Sequence, residues 1–104
     1  MICVAAFYRF ARLADPASLR DGLLACCREN AVRGTLLLAT EGVNGTIAGS
    51  DAGIAAVVAQ IRAIPGCDAL DVKYSRAREM PFHRLKVRVK KEIVTFGVGG
   101  LDPA

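Results

Sequence analysis

Positively charged and apolar residues alternate over residues 84–90. The cations are Arg84, Lys86, Arg88 and Lys90, and the apolar residues between them are Leu85, Val87 and Val89. Successive side chains of a β-strand point to opposite faces of a sheet, so this pattern predicts a strand with one apolar and one basic face. A chain with such a strand is expected to form a sheet that is packed on one side and open to solvent on the other.

The chain has 104 residues, which is the length of one domain, and 53% of them are hydrophobic. It contains no low-complexity run, and no apolar stretch approaches the roughly 18 residues of a membrane span. Residues 1–8 are apolar but lack the positive start of a signal peptide and continue into Arg9, which fits a first strand better. We therefore expect a soluble, cytoplasmic protein.

The positive charge is concentrated in one part of the sequence. Residues 73–91 contain eight Lys or Arg residues and a single Glu, although the whole chain has a net charge of only +4. This asymmetry favours a polyanionic partner such as a nucleic acid, and a solvated face without function is the alternative. The predicted nucleic-acid-binding residues are Lys73, His83, Arg84, Lys86, Arg88, Lys90 and Lys91.

His83 is the single histidine, and it allows two interpretations. It could contact a phosphate, stack on a base or transfer a proton near neutral pH. It could equally be a strand-entry residue that bonds to backbone groups. We favour the second interpretation because no Ser, Cys or paired carboxylate lies beside it in the sequence.

The four cysteines do not form a metal-binding or redox motif. Cys3, Cys26, Cys27 and Cys67 contain no C-x-x-C pair, and no histidine lies at zinc-ligand spacing. We expect them to be small buried hydrophobic residues. The cysteines therefore predict no metal site. Nothing in the rest of the sequence looks like a complete catalytic site, and we expect no catalytic residue and no cofactor in this chain.

The remaining elements follow from periodicity and end signals. The first strand is predicted over residues 2–10, and Asp15-Pro16 is a typical start for a helix over residues 16–31. Residues 35–39 form an apolar second strand, a second helix begins after Ser50 or Asp51 and ends before Pro65-Gly66, and a fourth strand covers residues 69–75.

Residues 41–46, Glu-Gly-Val-Asn-Gly-Thr, contain the strongest turn signal. Asn44-Gly45 is typical of a tight hairpin, so we expect a turn here followed by a third strand over residues 46–49. The backbone amides of such a loop could also hold an anion, with Glu41, Gly42, Asn44 and Gly45 as candidates. Hairpin geometry explains both glycines without any ligand.

The predicted order, β-α-β-β-α-β, is that of an α+β, ferredoxin-like split βαβ sandwich. Right-handed crossovers place both helices on one face of an antiparallel sheet. Residues 84–96 add a strand or extension at the C-terminal end, with a bulge or bend near residues 90–92. We expect one domain over residues 1–97 and the start of a linker over residues 98–104.

Three segments, in this order, resemble the N-terminal part of the rhodanese-domain tRNA uridine hydroxylase family. They are GTLLLATEGVNGT (34–46), PFHRLKVR (81–88) and KKEIVTFG (90–97). The resemblance implies an acylphosphatase-like fold for this domain and a rhodanese domain, with the reactive cysteine, elsewhere in the same protein. It also implies oxygen-dependent hydroxylation at C5 of the wobble uridine, with the anticodon region of tRNA as partner.

The rhodanese active-site loop does not occur in these 104 residues, and no cysteine here has its context. The resemblance therefore implies an accessory domain that binds tRNA, or one that packs on the rhodanese domain as a structural module. A third alternative is an acylphosphatase-like hydrolase that uses Arg12 and Asn44. The loop over residues 11–15 lacks the Gly-Phe-Arg ending of that enzyme family.

Overall fold

The computed structural model describes residues 1–90. In chain order its elements are β1 (Ile2–Phe10), α1 (Pro16–Glu29), β2 (Arg33–Ala39), β3 (Gly42–Gly49), α2 (Asp51–Arg62), β4 (Asp71–Ala77) and β5 (Leu85–Val89). Neither helix in this part of the chain is long and apolar enough to cross a membrane. The β-α-β-β-α-β order and the added strand are as predicted.

All five strands belong to one sheet with the order β4-β1-β3-β2-β5. Its pairs are antiparallel except for β2 and β5, which run parallel. The two helices contact each other and cover the same face, so the fold is the predicted ferredoxin-like, acylphosphatase-like sandwich. The other face of the sheet is not covered by either helix, and we call it the open face.

The capping residues explain where the helices begin. The Asp15 side chain accepts a hydrogen bond from the Ser18 amide at 3.3 Å, and the Ser50 hydroxyl accepts one from the Gly53 amide at 2.9 Å. Helix α1 ends two residues earlier than predicted because Ala31 has a left-handed φ of 55°. This early end lets β2 begin at Arg33, before the predicted start at residue 35.

The core lies between the helices and the covered face of the sheet. Along β2, Leu36 and Leu38 are fully buried against the helices, whereas Thr35 and Leu37 are half-buried and belong to the open face. Helix α2 contributes an apolar stripe to the same core, formed by Ile54, Val57, Val58 and Ile61. Buried residues therefore recur at the spacing that the sequence predicts, every second residue in the strand and every three to four residues in the helix.

The predicted turn at Asn44-Gly45 is wrong. The connection between β2 and β3 consists of Thr40 and Glu41, and both Asn44 and Gly45 are paired on two sides inside β3. This register aligns Leu38 with Val43 and lets Val43 join the core. Eight residues of β3 thus pair with neighbouring strands, which outweighs a local turn preference.

Gly45 is required by close packing, not by a turn. A Cβ atom on this residue would lie 2.2 Å from the Thr35 carbonyl oxygen and 3.0 Å from the Phe7 ring. Gly42 has a φ of +150°, and a Cβ there would lie 2.1 Å from the Arg9 carbonyl oxygen. The two glycines therefore let the central strands approach each other closely.

Strand β4 lies two residues further along the chain than predicted, over Asp71–Ala77. The observed β5 covers Leu85–Val89, which is the first part of the predicted C-terminal strand. Lys91, the rest of the predicted bend, the second half of that strand and the linker over residues 98–104 lie outside the described residues.

Candidate nucleic-acid interface

Strand β5 has the predicted two-faced character. Val87 is buried and Leu85 half-buried on the helix side, where both belong to or pack against the core. Lys86 and Arg88 are exposed and alternate with them, so they project on the open face. The flanking residues Arg84 and Lys90 are exposed as well.

Arg84, Lys86, Arg88 and Lys90 form a basic edge along β5, and the pairing of the strands shows where Lys73 lies relative to it. Lys86 is paired with Thr35 of β2, Thr35 with Thr46 of β3, Thr46 with Ala6 of β1, and Ala6 with Lys73 of β4. Paired residues point to the same face, so Lys73 and Lys86 end the same row. Four strand spacings separate them, about 19 Å. Lys73 thus shares the open face with the predicted residues of β5 but lies at its opposite edge.

Small side chains form the floor between these two edges. Ala6 and Thr46 line a shallow depression of ≈ 530 Å³ together with Tyr8, Asp71 and Lys73. The exposed ring of Tyr8 and that of Phe10 lie 6.2 Å apart in an edge-to-face arrangement. Neither aromatic belongs to the predicted nucleic-acid-binding residues, because the aromatics are scattered in the sequence, which favours packing in the core or at its rim. The sheet order instead places both rings on the open face of the central strand β1.

Several arginines have structural roles. Arg20 of α1 donates a hydrogen bond from Nε to the Val87 carbonyl at 2.8 Å, which joins the helix to the outer edge of β5. Arg9 and Arg62 donate to the Gly66 and Leu70 carbonyls at 3.1 and 3.2 Å. These side chains stabilise connections between elements of the fold.

The cations of the β5 edge differ from these arginines. Within residues 1–90, Arg84, Lys86 and Arg88 have no side-chain hydrogen bond and no ion pair, although exposed carboxylates occur elsewhere on the surface. Arg28 of α1 and Arg33 of β2 are also exposed and unpaired in this part of the chain. The last two were not predicted as site residues because they lie far from the basic segment in sequence.

The other candidates are separate from this edge. His83 is exposed in the bend before β5 and has no hydrogen bond with the described residues, so the predicted backbone partner is not seen. Glu41 lies in the β2–β3 turn, whereas Gly42, Asn44 and Gly45 are strand residues paired on both sides. These four residues therefore do not form the loop that we considered as an alternative anion site.

The cysteines lie in the core or at its margin, as predicted from their surroundings in sequence. Cys3, Cys27 and Cys67 are buried, and Cys26 is half-buried on α1. Burial raises the pKa of Cys27 to about 11 and also raises the pKa of Cys26 and Cys67. Among the described residues, no three His, Cys, Asp or Glu side chains converge as a metal site would require.

The loop between β1 and α1 is occupied by internal hydrogen bonds. The amides of Ala11 and Leu13 donate to the carbonyls of Glu41 and Thr40 at 2.9 and 3.0 Å. Arg12 is exposed between them. Two amides that an open phosphate cradle would use are thus already bonded to the β2–β3 turn.

Comparison with solved structures supports the fold. The acylphosphatase of Bacillus subtilis superposes with a TM-score of 0.62 at 14% identity, over 84% of this chain and 98% of that protein. At this identity the likeness concerns the fold and not the reaction.

Sequence comparison finds much closer relatives. The tRNA uridine(34) hydroxylase of Caulobacter vibrioides is 60% identical over 100 residues, which are 96% of this chain and 32% of that protein. That of Gluconobacter oxydans is 55% identical over 102 residues, 98% of this chain and 33% of that protein. The chain thus spans about a third of the length of these curated relatives. The model of the UPF0176 acylphosphatase-like domain matches residues 2–93, so the chain belongs to this family of N-terminal domains.

Proposed function

We propose that this chain is the accessory domain of a tRNA uridine(34) hydroxylase and that its basic edge binds the tRNA substrate near the anticodon. The identity of 55–60% to proteins of that name supports the first part. The observation that carries the second part is the row of unpaired cations Arg84, Lys86 and Arg88 along β5, which lies at the border of the open face of the sheet.

The parts of the reaction that need a reactive cysteine belong, in this proposal, to a rhodanese domain of the same protein. Burial and a raised pKa make Cys27 and Cys67 poor nucleophiles, so the present domain supplies binding and not chemistry. The hydroxylation itself is proposed to consume dioxygen and to take place in the cytoplasm, with no cofactor held by this domain.

Charge and geometry support phosphate contact over base readout. Lys and Arg on an exposed strand contact the backbone of a nucleic acid without reading its sequence. Such binding weakens as salt rises, because each neutralised phosphate releases condensed counterions. Selection of particular tRNAs is then a task for other parts of the protein.

The proposal is tested by titrating a fluorescently labelled tRNA anticodon stem-loop with the chain at several salt concentrations. The double variant Lys86→Gln/Arg88→Gln should bind more weakly, and the slope of log K against log [salt] should fall by about 0.7 to 0.9 for each cation removed. Arg78→Gln is the matched control, since Arg78 is exposed just after β4, at the edge of the sheet opposite to β5. It should leave the slope unchanged.

Unchanged RNA affinity in the double variant would overturn the role of the β5 row, and no RNA binding by the wild-type chain would favour a structural module that packs on a rhodanese domain. A hydrolase is tested separately with an acyl phosphate substrate. Turnover by the chain that Arg12→Ala abolishes would favour the acylphosphatase-like alternative. We expect no turnover because the amides of the β1–α1 loop are bonded to Thr40 and Glu41.

A further inference from the structure

Three arginines from three different segments line one depression beside the basic edge. Arg28 lies in the last turn of α1, Arg33 is the first residue of β2, and Arg84 directly precedes β5. The depression has a volume of ≈ 450 Å³, and Ala31, Val32 and Leu85 complete its lining. The parallel pairing of β2 with β5 brings these segments together, and the Gly34 amide donates to the Arg84 carbonyl at 2.9 Å. We call Arg28, Arg33 and Arg84 the arginine cluster.

None of the three side chains has a structural task within residues 1–90. No hydrogen bond or ion pair is formed by any of them, in contrast to Arg9, Arg20 and Arg62, which bind backbone carbonyls. The carboxylate nearest in sequence is Glu29, which also forms no ion pair in this part of the chain.

Unpaired cations that share one depression repel each other, and an anion placed between them relieves this repulsion. The C-terminal dipole of α1 favours a cation at Arg28. It accounts for one arginine, and not for Arg33 and Arg84 on the neighbouring strands. The arrangement is therefore suited to an external anion.

The chemistry of the lining points to the kind of anion. Guanidinium groups bind phosphate oxygens with paired, directional hydrogen bonds, and several of them around one site suit a phosphate group. The other lining residues are apolar and offer no side-chain groups that would read a base. Arg84 belongs both to this cluster and to the row that continues along β5 through Lys86 and Arg88, so a chain of phosphates can follow the edge into the depression.

We propose that the arginine cluster binds a backbone phosphate of the RNA and so fixes where the RNA meets the end of the β5 edge. The proposal rests on the RNA-binding function above and adds a separate site to it. Two of its three residues, Arg28 and Arg33, lie outside β5, which allows the two proposals to be tested apart.

The experiment measures binding of the same labelled stem-loop to the double variant Arg28→Gln/Arg33→Gln over the salt series. The expected result is a five- to twenty-fold loss of affinity at low salt and a slope reduced by about 0.7 to 0.9 for each phosphate that the variant no longer neutralises. Arg78→Gln is again the control, because Arg78 follows β4 at the edge of the sheet opposite to β5. Thermal unfolding of the variants should stay close to that of the wild type, since neither arginine forms a hydrogen bond or ion pair within residues 1–90 and only Arg28 interacts favourably with the dipole of α1.

Four outcomes separate the proposals. Loss of affinity in both the Arg28/Arg33 and the Lys86/Arg88 double variants supports both. Loss only in the Lys86/Arg88 variant overturns the arginine cluster and leaves the proposed function standing. Loss only in the Arg28/Arg33 variant supports the cluster and overturns the role of the β5 row. No loss in either overturns both.

A last measurement distinguishes an RNA phosphate from a free one. Inorganic phosphate is added at constant ionic strength while amide chemical shifts around Arg33 and Arg84 are followed. Weak or absent binding of inorganic phosphate, together with the loss of RNA affinity above, supports a backbone phosphate as the ligand. Saturation by inorganic phosphate without any effect of the arginine variants on RNA affinity would overturn this assignment.

Discussion

The covered and the open face of the sheet are built from the same strands, yet their side chains have different tasks. In β2, Leu36 and Leu38 are fully buried under the helices, whereas Thr35 and Leu37 next to them belong to the open face. Burial of apolar area on the covered face supplies most of the stability. The open face can therefore carry unpaired charge without endangering the fold.

Arginines show the same difference. Arg9, Arg20 and Arg62 donate to backbone carbonyls and help to hold elements in place. Those around the β5 edge, such as Arg33 and Arg88, have no partner within residues 1–90. Side chains without a structural partner can be replaced at little cost to stability, so they are free to contact a partner outside this part of the chain.

The largest loss of stability is expected from a side chain added where β2 and β3 approach each other most closely. Gly45→Ala places a Cβ atom 2.2 Å from the Thr35 carbonyl oxygen, so β2 and β3 must separate. We expect a loss of about 3 kcal/mol or more in the free energy of unfolding, measured by urea denaturation.

Gly22→Ala is the matched control on the exposed side of α1. A Cβ there meets only Gln60 Nε2 at 3.5 Å. This variant should be more stable than the wild type by about 0.5 to 1 kcal/mol, because alanine favours the helix. If Gly45→Ala were as stable as the wild type, β3 could not be paired as described, and the hairpin turn at Asn44-Gly45 would return as the better interpretation.

The next largest effect compares neighbouring leucines on the two faces. Leu36→Ala leaves a cavity in the core and should cost about 2 to 5 kcal/mol. Leu37→Ala removes a half-buried side chain from the open face and should cost about 1 kcal/mol or less. Chemical denaturation of both variants measures the difference. Equal losses would show that the open face is packed as tightly as the covered one, and would contradict its role as a binding surface.

Sequence periodicity predicts the elements in which the apolar residues of the pattern are also the buried residues. The stripe Ile54, Val57, Ile61 predicted α2, and the alternation Lys86, Val87, Arg88 predicted β5 with its basic face. In both cases the order of the residues shows which side of the element packs on the core. Capping by Asp15 and Ser50 then set the helix starts.

Sequence patterns did not predict the features that depend on contacts between residues far apart in the chain. Asn44-Gly45 has a strong local preference for a turn, but pairing with β1 and β2 places it in a central strand. Arg28 and Arg33 were not predicted to join Arg84 because their proximity depends on the parallel pairing of β2 with β5. No local pattern in the sequence encodes that pairing.

A smaller effect concerns the thiols beneath the covered face. The pKa of Cys27 is raised to about 11, so at pH 8 only about one molecule in a thousand carries its thiolate. Cys26, on the same helix, is half-buried. A disulfide reagent such as DTNB should therefore modify Cys26 slowly in the native chain and the other three cysteines only after unfolding.

Cys26→Ser is the control for this assignment and should abolish the native reaction. The reaction of Cys26 should accelerate as pH rises, because burial raises its pKa as well. Rapid native modification of Cys27 would show that α1 opens from the sheet, and would weaken the description of the covered face as a permanent core.

The smallest effect is expected from the exposed pair formed by Arg76 and Asp51, whose Nη1 and Oδ1 atoms lie 2.6 Å apart. The hydrogen bond from Arg76 holds the pKa of Asp51 below its ordinary value of 3.8. A carboxyl with a lowered folded pKa stabilises the fold above its unfolded pKa, and this contribution is lost as pH falls through the folded pKa. The difference in melting temperature between wild type and Arg76→Gln should thus be small at pH 6, and should shrink below pH 4.

Arg76→Gln should also leave RNA affinity nearly unchanged, because the guanidinium of Arg76 is already neutralised by Asp51 in the wild type. A loss of RNA affinity as large as that of Lys86→Gln would show that pairing with a carboxylate does not separate structural cations from binding ones.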